Sequence, residues 1–422
     1  MLRRFLTFGR ALSTMRLQTD DFKALFTDGL KVLTDLFAKE NHEIRIAGGA
    51  VRDLLVGNQP HDVDFATTAT PDQMKEMFLK AGIRMINNKG ETHGTVTARI
   101  HDQNFEVTTL RVDLQTDGRH AEVQFTTDWK GDAERRDLTI NSMFLGFDGT
   151  LYDYFNGYED LQKKCIRFVG DPTQRIQEDY LRILRYLRFY ARIAEEPGRH
   201  SKATLDAIKA NAPGLGGISG ERIWVELKKM VEGKHVTHLM EIMYELGVAP
   251  YVGLPEDGNL TEFARVCSLS QHLSPKPLTL LAALFTKPEA VSHLDLRLKI
   301  SKEERNLALF LVKQRTELVA DSKSAEPLKP YQDYVSDCRE PGAHKRICEL
   351  LKYQGEEKLL GDMESWSLPR FPVSGHDLRR MGITSGKDIG VILQELRDQW
   401  KQSGYQTSKE ELLNSVTCDQ NS

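Results

Sequence analysis

Apolar residues recur at helical spacing from Phe22 to Glu40, with Phe22, Leu25, Phe26, Leu30, Leu33, Leu36 and Phe37 on one face, which predicts an amphipathic helix over 22–40. The pattern changes in "EIRIAGGAVRDLLVG": a short strand, a glycine pair, then a helix closing at Gly57. Short strands are predicted at 63–65, 95–100, 105–110 and 122–125. Beyond about residue 165 strand signals nearly vanish, and helical segments are broken by Pro and Gly at "EEPGRH", "NAPGLGGISG", "VGLPEDGN", "LSPKPLT" and "SWSLPRFPVSG". The predicted organisation is an α/β head followed by an elongated helical remainder, an α+β chain without internal repeats.

Two aspartates interrupt the apolar run in "HDVDFATTATP". Residues two apart on a strand share a face, so Asp62 and Asp64 project together while Val63 and Phe65 face the core. Like charges that close repel, and a divalent cation removes the conflict; Mg²⁺ prefers one or two carboxylates together with substrate phosphates. Glu106 in "NFEVTTL" lies between Phe105 and Val107 on the polar face of another predicted strand, so a third carboxylate can converge there. Three such acids suit a two-metal site for in-line phosphoryl or nucleotidyl transfer. Upstream, Gly48 and Gly49 sit between strand and helix, where backbone N–H groups and the helix end can approach phosphates, with Arg52 and Asp53 about one turn on. Alone, the glycine pair is a tight turn and D-x-D a solvated strand end. Together, in order and followed by the strand Glu, they point to a metal-dependent nucleotidyl-transfer head.

Charge and cysteine content narrow the picture modestly. A net charge of −4 over 422 residues gives no global basic signature, so nucleic-acid contact has to come from a local patch. The cysteines Cys165, Cys267, Cys338, Cys348 and Cys418 form no C-x-x-C pair, and His344 with Cys348 falls short of a structural zinc set, so neither a disulfide framework nor a zinc site is expected. No run approaches the roughly 20 apolar residues of a membrane span. The N-terminus carries Arg3, Arg4, Arg10 and Arg16 among hydroxyl and apolar residues, with no acid before Asp20, the composition of a mitochondrial transit peptide over 1–20. A start at Met15 would yield a shorter product and a cytoplasmic and nuclear pool.

The ordered motifs "GGAVRDLL", "DVDFATTATP", "TTLRVDLQTDGRHAEV", "DAERRDLTINSM", "EDYLRILRYLRF" and "GERIWVELKKM" resemble the nucleotidyltransferase superfamily that includes DNA polymerase β, and within it the class II tRNA nucleotidyltransferases, the CCA-adding enzymes, in their eukaryotic form. The likeness covers most of the chain from about residue 25. It implies that Asp62 and Asp64 bind Mg²⁺, that Glu106 is the third catalytic acid, either as a metal ligand or polarising the attacking hydroxyl, and that Gly48, Gly49 and Arg52 contact the nucleoside triphosphate. It further implies a polymerase β-like head over 21–165, a neck that recognises the base over 166–235, a helical body over 236–310 and a tRNA-binding tail over 311–422.

A polymerase without a nucleic-acid template must read the incoming base with side chains. Cytosine and adenine each offer an exocyclic amino donor beside a ring-nitrogen acceptor, and guanine and uracil the reverse, so a carboxylate next to a guanidinium accepts the first two. In "EDYLRILRYLRF", Asp179 and Arg182 are three apart, expected as neighbours on one helix face; without further context that is an exposed ion pair. By resemblance they read the base, Arg185 and Arg188 help hold the nucleotide, and Glu178 orients an arginine. In "DAERRDLTINSM" an acid-capped helix is the local reading, and by resemblance Arg136 and Asp137 recognise the ribose, whose 2′-hydroxyl both donates and accepts. Residues 113–121, with Gly118 between Asp117 and Arg119, read as a mobile loop. Near the end, 385–387 form a turn before a helix whose N-terminus suits either an RNA phosphate or plain packing.

The expected activity is addition of C, C and A to tRNA 3′ ends from CTP and ATP, releasing pyrophosphate. The competing readings are a poly(A) polymerase on the same scaffold and a non-catalytic RNA-binding protein on an inactive head. Monomer and homodimer are both open.

Overall fold

The computed structural model describes residues 15–86, 94–116, 121–320, 324–338 and 340–419. These form two compact units: one runs to Asp257 and includes His293–Ile300, and the other comprises Gly258–Ser292 and Ser301 onward. The stretches separated in the sequence as head and neck therefore share a unit, and the boundaries expected at 236 and 311 do not coincide with the division.

The first unit opens with α1 (Asp20–Ala24) and α2 (Asp28–Lys39) in place of one helix over 22–40. The break falls at Thr27, whose hydroxyl accepts from Leu30 N and starts a new helix, while Leu30, Leu33 and Phe37 still bury one face. There follow β1 (Ile44–Ala47), α3 (Gly49–Leu55), β2 (Asp64–Thr67), α4 (Pro71–Lys80), β3 (Arg84–Ile86), β4 (Thr95–Ile100), β5 (Gln103–Thr109), β6 (Arg111–Thr116), β7 (Ala121–Phe125), α5 (Trp129–Glu134), β8 (Phe144–Leu145) and β9 (Leu151–Tyr152). One sheet has the order β3-β4-β5-β2-β1-β8-β9, with β2 and β5 parallel. The strand expected at 63–65 begins one residue later, which leaves Asp62 in the bend before it.

β6 and β7 form a separate antiparallel ribbon, so Asp113 and Ala121 of the expected loop are strand residues, and Asp117, Gly118 and Arg119 lie outside the described residues. The expected leader also overlaps the fold: Leu151 N donates to Met15 O at 2.9 Å and Leu17 N to Gly149 O at 2.8 Å, while residues 1–14 lie outside the described residues.

After the sheet the unit is helical: α6 (Gly157–Gln162), α7 (Pro172–Glu178), α8 (Arg182–Ile193), α9 (Lys202–Asn211), α10 (Gly220–Val231) and α11 (Val236–Glu245). α8 buries Ile183, Leu184, Tyr186, Leu187 and Tyr190, and its arginines occupy the other side.

The second unit is helical from Leu260–Ser270 to Lys409–Asp419. Near its end Leu378, Ile389, Leu396, Trp400 and Leu412 pack in one core, and Ser385 caps the helix Gly386–Gln402 by accepting from Asp388 N at 3.4 Å. Among the described residues no helix is long and apolar enough to cross a membrane, and no disulfide joins Cys165, Cys267, Cys338 and Cys348. His344 bonds the carbonyls of Met363 and Trp366, a packing role.

Candidate active site

A cleft of about 950 Å³ in the first unit collects Gly48, Gly49, Arg52, Asp62, Asp64, Glu106, Arg136, Asp137, Asp179, Arg182, Arg185 and Arg188 from the residues singled out above, while Asp53 and Glu178 stand outside its lining. Its acidic wall follows from strand pairing. Asp64 on β2 is the direct register partner of Glu106 on β5, and both are exposed beside buried Phe65, Phe105 and Val107. Asp62 joins them from the bend. Burial of the Asp64 surroundings raises its pKa; Arg136 opposes the rise and the Asp62 charge adds to it.

Next to the acids, Gly48 takes φ 63°, ψ −119°, a backbone region open essentially to glycine. A Cβ there would stand 3.1 Å from Arg136 Nη1, so the bare turn and that guanidinium share one space. Arg52, on the helix that begins at Gly49, is 5% exposed and donates to Asn141 Oδ1 at 2.5 Å. Burial pulls its pKa down, and Asp53 holds the opposite side at 3.0 Å.

Nine arginines line the cleft, and buried carboxylates grip several of them from behind. Asp132, 1% exposed, splits its oxygens between Arg135 at 2.7 Å and Arg136 at 3.0 Å. Burial pushes the Asp132 pKa up, but the two guanidiniums outweigh it and leave it lowered. Asp137 accepts from Arg185 Nε at 2.6 Å, Leu138 N at 2.8 Å and Asn141 Nδ2 at 3.3 Å. Glu226 on α10 meets Arg188 at 3.0 Å and Arg185 at 3.8 Å, and Asp53 reaches Arg192 at 3.0 Å. Each guanidinium is thereby oriented before any anion arrives, an arrangement suited to a triphosphate.

The arrangement around Asp179 differs from the sequence expectation. Asp179 and Arg182 do not share a helix face, because α7 ends at Glu178 and Asp179 adopts an extended φ of −153°. Its Oδ1 accepts from Leu181 N at 3.1 Å, a local bond that competes with helix continuation. Its Oδ2 accepts from Arg222 Nη2 on α10 at 2.7 Å. Arg182 is held by Glu178 at 2.5 Å and by the carbonyls of Arg175 and Arg135 at 3.0 and 2.8 Å. Those bonds use three of its five N–H donors.

Arg192 and Arg222, which line the cleft, and Asp132 and Glu226, which hold its arginines from behind, were not singled out by sequence reasoning. For Asp132 the i,i+3 and i,i+4 spacing to Arg135 and Arg136 was a readable signal. For Arg222 and Glu226 there was only the motif "GERIWVE".

The three carboxylates offer hard oxygen donors suited to a divalent cation. Among the described residues, no three His, Cys, Asp or Glu side chains stand close enough to hold a metal without adjustment.

Comparison with known proteins adds the family context. Residues 44–167 match the family model described as poly A polymerase head domain, and 201–256 the probable RNA and SrmB-binding site of polymerase A. The chain is 68% identical over 407 residues to mouse mitochondrial CCA tRNA nucleotidyltransferase 1, covering 96% of this chain and 94% of that one. It is 66% identical to the human protein of the same name, covering 96% and 93%. The crystal structure of Bacillus stearothermophilus CCA-adding enzyme in complex with CTP shares the fold, with TM-score 0.69 at 23% identity over 96% of this chain and 100% of that one. Thermotoga maritima CCA-adding enzyme complexed with tRNA gives TM-score 0.66 at 22% identity, covering 96% of each.

Proposed function

The chain belongs to the CCA tRNA nucleotidyltransferase family, and from that premise we propose that the cleft of its first unit seats CTP or ATP for attack by a tRNA 3′-hydroxyl. The enzyme adds C, C and A to tRNA 3′ ends and releases pyrophosphate. The observation that carries this reading is that the Asp64–Glu106 strand pair, the Gly48 turn and the Asp179–Arg182 break open into one cleft.

In this reading the Gly48–Gly49 turn, Arg52 and Arg136 receive the triphosphate, and the carboxylate-held arginines keep their orientation while charge shifts between phosphates. Asp62 and Asp64 hold Mg²⁺, beside Glu106; bound there, the cation neutralises phosphate charge and favours ionisation of the attacking hydroxyl. Arg182 retains two N–H donors, and each Asp179 oxygen retains a lone pair, so together they present a donor beside an acceptor to the base edge. Arg136 and Asp137 form the wall assigned to the ribose, where Asp137 acts mainly by fixing Arg185; Arg185 and Arg188 help hold the nucleotide. The helical second unit carries the tRNA backbone contacts.

The relatives named mitochondrial support a mitochondrial location, with a leader at the basic N-terminus. A product starting at Met15 keeps the bonds of Met15 and Leu17 to the sheet edge and supplies a cytoplasmic and nuclear pool. An unchanged non-mitochondrial pool after Met15→Ala would refute that second product.

The activity is tested by incubating the purified chain with tRNA lacking its terminal CCA and each triphosphate in turn. Addition of two C residues from CTP and one A from ATP is expected. Loss of both aspartates in Asp62→Ala, Asp64→Ala should lower incorporation by about 10³-fold, several kcal/mol of charge stabilisation. Tailing with ATP alone and no use of CTP would overturn the reading in favour of a poly(A) polymerase, and full incorporation by the double variant would overturn the site.

A further inference from the structure

Asp179 and Arg182 carry opposite charges three residues apart, yet each is held by a third residue instead of by the other. Arg222 binds Asp179 Oδ2 at 2.7 Å, and Glu178 binds Arg182 at 2.5 Å. We propose that Arg222 is a positioning residue for base selection, which holds the Asp179 carboxylate apart from Arg182 so that acceptor and donor both stay available to the incoming base. The inference rests on the assignment of Asp179 and Arg182 as the base readers.

The argument is one of competition. A carboxylate and a guanidinium joined by so short a stretch of chain can swing together when nothing else binds them, and a closed pair has little left for a pairing edge. Arg222 prevents closure from the carboxylate side. It approaches from α10, whose position is fixed independently: a Cβ on Gly220, the first residue of that helix, would lie 2.1 Å from Arg297 O, so helix and backbone are in direct contact there. One turn further along α10, Glu226 sets Arg188, so a single helix orients two groups of the cleft. The Asp179 end is equally constrained, because Tyr180 packs its ring over Gly214, where an added Cβ would come within 2.2 Å. A lysine at 222 keeps the charge but loses the planar fork.

The test compares Arg222→Met, Arg222→Lys and Asp179→Ala in steady-state addition to tRNA ending one nucleotide before the first C and to tRNA ending in CC. KM, kcat and the CTP-over-UTP and ATP-over-GTP ratios of kcat/KM are measured. Arg222→Met should raise KM for CTP and ATP about tenfold and reduce both ratios about tenfold, with kcat changed less; Arg222→Lys should recover part of the ratio. Thermal unfolding of each variant identifies a merely structural effect. Equal losses for correct and incorrect nucleotides with a lowered melting temperature would overturn the proposal, as would unchanged ratios in Arg222→Met while Asp179→Ala loses selectivity, which leaves the base-reading assignment intact. Unchanged ratios in Asp179→Ala would instead overturn that assignment and this proposal with it.

Discussion

Arg185 Nε donates to Asp137 Oδ2 at 2.6 Å, a bond that ties the arginine-bearing helix α8 to the segment following α5. Asp137 is 6% exposed, whereas Arg185 remains 32% exposed in its side chain. Asp137→Asn should therefore cost about 3 kcal/mol, the lower end of the range for breaking a buried pair, because water partly compensates Arg185. Urea unfolding at neutral pH measures it. Burial pushes the Asp137 carboxyl up, but Arg185 more than offsets it and holds the pKa below the usual carboxylate range. The stability it contributes is complete above the unfolded value near 3.9 and disappears as pH falls through the folded value. The Asn variant should lose part of the acid limb of the stability curve.

Gly48 and Gly57 both have positive φ, at 63° and 78°, but only Gly48 has a functional neighbour within reach of an added Cβ. Gly48→Ala should strain the turn by about 1–3 kcal/mol and displace Arg136, lowering kcat/KM about 10–100-fold. Gly57→Ala, with open space around it, should cost about 1 kcal/mol of stability and leave kcat unchanged. Parallel melting curves and kinetics on the two variants separate backbone strain from displacement of Arg136.

Behind the cleft arginines, His200 stacks on Tyr190 at 4.0 Å, its Nδ1 lies 2.8 Å from the Tyr186 hydroxyl, and its Nε2 lies 3.3 Å from that of His238. Burial, with His238 adding to it, pushes the His200 pKa down to about 4. The unfolded chain takes up that proton near pH 6.5 while the folded chain resists it, so stability is complete above about 6.5 and declines as pH falls toward 4. His200→Gln should flatten the decline. Denaturant midpoints measured between pH 7 and 4 for both proteins check the sign.

Some of this was legible in the sequence because the signals were local. The alternation Phe105, Glu106, Val107 put a lone carboxylate between two apolar residues, and the β5 burial pattern reproduces it. The glycine pair needed only the strand before it and the helix after it. What escaped was decided by distant partners. The periodicity of Leu181, Leu184 and Leu187 extends the helix smoothly back through Asp179, and nothing nearby reveals that its carboxylate belongs to Arg222, 43 residues away. The carboxylate Glu226 reaches Arg188 across 38 residues. The break at Thr27 is different: the hydroxyl cap before "DGL" was a readable start signal, outweighed by an apolar stripe that continues across it.

Glu106 offers the sharpest test of how the acidic wall works. It is the register partner of Asp64 on an adjacent parallel strand, and neighbouring strands lie about 4.8 Å apart, so the two side chains rise from one face within reach of a common cation. Asp62 comes from a bend, where small backbone changes adjust its distance more easily than on a paired strand. The geometry favours Glu106 as a contributor to cation affinity over a role confined to polarising the attacking hydroxyl. Glu106→Gln should raise the Mg²⁺ concentration for half-maximal activity about tenfold, together with a fall in kcat, since one charged oxygen donor is lost from a site built on carboxylates. Mg²⁺ titrations of the wild type and the variant, each at saturating CTP and tRNA, distinguish the two roles. A collapse of kcat with an unchanged Mg²⁺ midpoint would assign Glu106 to the hydroxyl alone.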